Sequence, residues 1–173
     1  MTAALLFLSL RALHVLLAAV WIGSTVFITF LLMPAAEKAG AAGGDVMTRM
    51  VKGSLTKYFA ILGGLTTLTG LYLFWRLTGG FDPVQSASMT GRVFGAGGVC
   101  GIIAVIIGGS VVGKSAEKNV QVMEQAAATP AGPARDALLR QSAALRQRMK
   151  TSGTIVIVLQ AIALVLMAIG HYV

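Results

Sequence analysis

The sequence is poor in charge. Only 12% of its 173 residues are Asp, Glu, Lys or Arg, about half the share usual in a soluble domain. Just six are acidic: Glu37, Asp45, Asp82, Glu117, Glu124 and Asp136. None lies within a long apolar run, which argues against a proton relay built on intramembrane carboxylates. With one cysteine, Cys100, no intrachain disulfide can form. No HExxH, Walker loop or GxSxG occurs. Nor is there a nucleic-acid-binding motif to go with the net charge of +8.

What is present is apolar. Hydrophobic residues make up 56% of the chain and its mean hydropathy is +0.81. The charges sit between long greasy runs, which is the pattern of a polytopic membrane protein whose main partner is the lipid bilayer. Four spans are expected, at about 12–34, 58–78, 93–113 and 151–172. Each approximates the ~20 residues that cross a bilayer core at ~1.5 Å per residue. The first apolar run begins near Ala3, too early for one straight span. Either residues 3–10 lie at the interface or the span shifts and draws Arg11 inward. A cleaved signal peptide fits less well, because the start has no basic region and the apolar run is too long.

Lysine and arginine set the expected direction. Residues 35–57, read as a loop, carry Lys38, Arg49, Lys52 and Lys57; residues 114–150 carry Lys114, Lys118, Arg135, Arg140, Arg146, Arg148 and Lys150. Only Arg11, Arg76 and Arg92 lie on the other side. The positive-inside rule places both basic segments in the cytoplasm and both termini outside, as in a prokaryotic inner membrane. The second basic segment reads as a helical hairpin, broken at "TPAGP" and extending spans 3 and 4. Its simplest role is a solvated face; the alternative is docking a partner or anionic lipid. The expected fold is thus an all-α, single-domain integral membrane four-helix bundle over residues 1–173, with a cytoplasmic helical hairpin at about 114–150.

Glycine is abundant, at 21 residues. Three GxxxG pairs (Gly91/Gly95, Gly97/Gly101 and Gly109/Gly113) fall in or beside span 3, with Gly63, Gly64 and Gly70 in span 2. Span 3 should pack tightly within the chain, or else form a homodimer or larger membrane complex. Thr66, Thr67 and Thr69 should satisfy themselves on backbone carbonyls. Gln160, in mid-span 4, should hydrogen-bond across helices or contact a ligand such as a quinone.

The stretch "RALHVLLAAVWIG" places Arg11, His14, Ala18 and Trp21 on one helix face. His14 lies 20 residues before Pro34, and His171 lies 21 residues after Lys150. Both histidines are therefore ~30 Å from the cytoplasmic edge, near the outer face. Three readings stand. Each histidine can be an interfacial residue with a water or backbone partner. One or both can ligate haem iron, with Trp21 as a wall and Arg11 on a propionate. Or His14, His171 and Met167 can form a soft set suited to copper, continued inward by Met33 and Cys100.

His14, Trp21 and Gly23 in the first span resemble the opening helix of the CopD-type and HemJ-type membrane protein families, where a histidine is followed seven residues later by tryptophan and then glycine. The segment "RMVKGSLTKYFAILGGLTTLTGLYLFW" resembles their second helix, and the likeness covers about 70 residues. Resemblance to the HemJ type implies a four-span, haem b-associated protoporphyrinogen oxidase with His14 serving the haem. The essential lysine of that type has only approximate counterparts in Lys52 and Lys57. Resemblance to the CopD type implies copper uptake. The expectation is a redox or electron-transfer protein with haem b at His14, with copper binding, or a non-catalytic docking subunit, as alternatives.

Overall fold

The computed structural model describes residues 2–173 and is all-helical, with 91% of its residues in helices and no strand among those described. Helix α1 (Thr2–Phe27) runs through a π-helical turn (Ile28–Leu32) into α2 (Met33–Lys38). After a turn at Ala39 and Gly40, α3 (Ala41–Met50) passes through a second π turn (Val51–Leu55) into α4 (Thr56–Leu77). A short α5 (Pro83–Ala87) precedes α6 (Met89–Ile107), which continues through a third π turn (Gly108–Gly113) into α7 (Lys114–Ala128). The chain ends with α8 (Pro133–Ile169).

Four continuous helical rods result: Ala4–Lys38, Ala41–Leu77, Met89–Ala128 and Pro133–Ile169, each long and apolar enough to cross a membrane. A rod of 35 to 40 residues is about 50–60 Å long, roughly twice a bilayer core. Residues 35–57 thus differ from the loop expected, being helical apart from the turn at Ala39 and Gly40. Of the glycines in this segment, Gly43 serves packing. A Cβ at Gly43 would collide with the Ala36 backbone, so glycine lets α3 fold tightly back on α2. The reversal itself uses Gly40 at φ 60°, and the second hairpin turns at Gly132 at φ 150°, conformations that disfavour a side chain.

Helix starts follow local chemistry. Asp82 accepts from the Gln85 N–H (2.9 Å) ahead of α5, and Ser88 accepts from the Gly91 N–H (3.0 Å) ahead of α6. Pro83 and Pro133 occupy first turns, where a missing N–H costs nothing.

In the bundle, α1 packs on α4, α4 on α6, and α6 most extensively on α8, with α1 and α8 meeting more sparingly. Gly97 explains the α6–α8 seam: a Cβ there would lie 3.3 Å from Met167 and 3.4 Å from the Ala163 carbonyl. A core of Trp21, Leu62, Ala104 and Val156 ties the four rods together. The bundle is apolar outside, with Leu16 and Leu68 64% and 65% exposed, while Thr29, Thr66 and Gln160 are buried. That distribution suits helices solvated by lipid. At the hairpin end, α7 packs along the first half of α8, joined by Ser142 donating to Asn119 at 2.7 Å, while Glu124 of α7 pairs with Lys52 in the second π turn.

Candidate functional site

His14 comes first. It is buried, at 8% exposed. Its Nδ1 lies 3.0 Å from the Thr66 carbonyl and 3.0 Å from Thr69 Oγ1. A carbonyl can only accept, so Nδ1 carries the proton. The Thr69 hydroxyl donates to the Leu65 and Thr66 carbonyls (2.7 and 3.0 Å), so its oxygen is also an acceptor toward His14. The imidazole is thereby held in one tautomer. Nε2 keeps its lone pair and has no protein partner among the described residues, the state a metal-ligating histidine needs.

Gly70 makes this placement possible. A Cβ there would come within 2.9 Å of His14 Cε1. One layer deeper, Gly63 faces Trp21, whose ring would lie in ordinary contact at 3.5 Å from an added Cβ, and the tighter neighbour there is Val105 at 3.1 Å. The seven-residue spacing on α1 (His14 to Trp21) is matched by seven on α4 (Gly70 to Gly63), as expected for antiparallel neighbours.

Above this core lies a cavity of about 460 Å³ between the rods, within the roughly 300–1,000 Å³ typical of small-molecule sites. His14, His171, Trp21, Arg11 and Met167 all line it. The residues singled out on α1 and at the end of α8 are therefore brought together around one space. Their roles differ. Trp21 is 6% exposed and belongs to the core as well as to the wall. Met167 is half-buried, on the face of α8 that meets Gly97. Arg11 is exposed, with no ion pair among the described residues. His171 lies just past α8, exposed, with its ring edge-on to Phe94 at 4.9 Å. Phe81 also lines the cavity and holds the uncommon φ of 66°, secured by its N–H donating to Thr78 Oγ1 at 3.1 Å.

The lining is overwhelmingly apolar, and glycine supplies much of its room. Gly98 and Gly101 on α6 both face it, and a Cβ at either would meet nothing within 4 Å. The GxxxG pattern is thus divided between tasks: Gly97 seats α8, while Gly98 and Gly101 leave space. Cys100 is half-buried and is not part of the lining. Among the described residues no three His, Cys, Asp or Glu side chains form a metal cluster.

Two polar groups depart from expectation. Thr69 satisfies itself on backbone carbonyls, but the Thr66 hydroxyl has no partner among the described residues. Gln160 is 2% exposed, and neither its Nε2 nor its Oε1 has a partner among the described residues, where an interhelical hydrogen bond is expected. Both line the cavity. The Thr66 carbonyl and Gly70, which set the position of His14, escape sequence reasoning because the contact spans 52 residues. The only signal is the Gly- and Thr-rich composition of α4. No family model matches the chain, and comparison with curated proteins and with solved structures finds no match.

Proposed function

We propose that this chain is a multi-pass inner-membrane redox protein that binds haem b in the cavity beside His14. The observation that carries the reading is the pinned imidazole. His14 donates through Nδ1 to a backbone carbonyl and leaves Nε2 free at the edge of a ligand-sized apolar cavity. Buried planar cofactors in bundles occupy such spaces between facing helices. The residues fit the group. His14 would hold the iron, Trp21 and Phe94 offer flat walls, the bare backbones of Gly98 and Gly101 admit a broad ring, and Arg11 offers a guanidinium to a carboxylate. When bound there, haem b supplies reversible one-electron chemistry. The protein's part is to orient the imidazole, exclude water with an apolar lining and keep the ring within reach of the outer leaflet. Both termini face outward and both basic hairpins inward in this reading, which rests on the lysine and arginine distribution.

Copper is the second reading. Its support is that His14, Met167 and His171 line the same space and form a donor set suited to a soft metal. The size of the cavity favours haem, since an ion needs only its coordination sphere and not about 460 Å³ of apolar room.

Optical difference spectra of the detergent-purified protein separate the two. A Soret band that shifts on dithionite reduction is expected. A colourless protein from haem-sufficient cells that instead takes up Cu(I) stoichiometrically would replace haem with copper.

A further inference from the structure

The floor of the cavity is polar in a way that His14 does not explain. Gln160 is 2% exposed and carries an amide donor and an amide acceptor, both unpartnered among the described residues. The Thr66 hydroxyl, on a residue 7% exposed, is unpartnered too. Both residues line the same space. Leaving a buried polar atom unpaired is costly, so three such atoms at one cavity point to an absent partner. Gln160 lies seven residues from Met167 along α8, about 10 Å deeper at ~1.5 Å per residue. This floor is therefore separate in depth from the end of the cavity where Met167 and His171 lie.

The chemistry of the missing partner can be read from its hosts. An amide N–H seeks a carbonyl; an amide oxygen seeks a hydroxyl; the Thr66 hydroxyl takes either. No charged side chain lines this floor, since Arg11 is the only charged residue in the lining and sits three helical turns away from Trp21 on α1. The partner is consequently neutral. The walls nearby, Ile22, Ile102 and Ala163, are apolar. The cavity also reaches the greasy outer surface, because Val15, Val99 and Leu164 line it and are 55%, 55% and 53% exposed. A molecule dissolved in the membrane can approach by that route.

We infer that Gln160 and Thr66 form a binding site for the head group of a lipid-soluble quinone or quinol. In the quinone form a carbonyl takes the Gln160 N–H or the Thr66 hydroxyl; in the quinol form a hydroxyl gives to the Gln160 oxygen; in both the ring lies among the apolar walls. The site deepens the redox reading by naming a membrane-borne ligand class, but its binding chemistry does not depend on haem.

The test is equilibrium binding of a radiolabelled short-tailed benzoquinone to the full chain in lipid nanodiscs, with empty nanodiscs subtracted. Saturable binding is expected. Gln160→Leu and Thr66→Val should each weaken it about tenfold, the effect of one lost hydrogen bond to a buried partner. Thr66→Val keeps the backbone carbonyl that holds His14, so it serves as a near-isosteric check if Gln160→Leu perturbs folding. His14→Ala should abolish any haem spectrum yet leave quinone binding saturable, since the Gln160 amide and the Thr66 hydroxyl both remain. Saturable binding by a colourless protein would reject haem and uphold this site. Three results would overturn the inference: non-saturable uptake, equal affinity in wild type and both floor variants, or loss of binding in a folded His14→Ala protein. Equal affinity would mean that buried water alone satisfies Gln160.

Discussion

His14 derives its chemistry from a neighbour with no side chain. The ring packs so closely on Gly70 that a Cβ there would lie 2.9 Å from Cε1. Gly70→Ala should therefore displace the imidazole and weaken its bond to the Thr66 carbonyl. The expected cost is about 1–3 kcal/mol of stability, as for overpacking, with reduced haem occupancy in the absorption spectrum. Unchanged stability and full occupancy would mean that the ring moves without consequence. His171 should behave differently, since it is exposed beside Phe94 and not pinned by the backbone. His171→Ala should leave a haem band in place where His14→Ala removes it. Sequence spacing exposes the Arg11–His14–Trp21 face, because helical periodicity is local. It does not expose Thr66, Thr69 and Gly70 as the partners of His14, because that pairing depends on the register of two helices. The orphaned Gln160 amide is equally hidden, because satisfaction of a polar group depends on which faces meet.

At the scale of the element, α6 does two things with one glycine-rich strip. Gly97 faces α8 and Gly101 faces the cavity. Gly101→Leu should consequently fold, with melting close to wild type, but fill the space and exclude haem. Gly97→Leu should instead unseat α8 and lower the melting temperature. If both variants lost stability equally, the division of labour along α6 would be wrong. The hairpin offers a separate case. Ser142 is fully buried and donates to Asn119 between α7 and α8. Ser142→Ala should cost about 1–3 kcal/mol by stranding the Asn119 carbonyl oxygen, read from thermal unfolding, without altering any absorption band. The nearby Lys52–Glu124 pair is more than half exposed on both sides, so its removal should change little. The α7–α8 hairpin is legible in the sequence because "TPAGP" breaks an otherwise helical pattern. The first hairpin is not, because Gly40, Gly43, Gly44 and Gly53 imitate a loop while Gly43 in fact closes the α2–α3 corner.

Over the whole molecule, four rods are joined by short turns, and the three π turns fall at similar depth. Thr29 of the first meets Gly153, and Gly113 at the end of the third meets Thr56 just after the second. This level separates the apolar bundle from the basic hairpins. Four apolar spans are readable from composition alone, since burying backbone polar groups in lipid demands long helices. The cavity is not, because it is the volume left over when four helices pack. If the proposed orientation holds, in a Cys100→Ala background Val84→Cys on α5 should react with an impermeant maleimide in intact cells, whereas Ala131→Cys at the hairpin tip should react only after permeabilisation. The reverse pattern would invert the topology. The most direct measurement concerns the cavity itself: oxidised and dithionite-reduced absorption spectra of wild-type and His14→Ala protein, purified in detergent from haem-sufficient cells. A reducible Soret band in the wild type, absent from a folded His14→Ala variant, is the expected result. A colourless wild type, or a band of equal intensity in His14→Ala, would contradict haem ligation by His14.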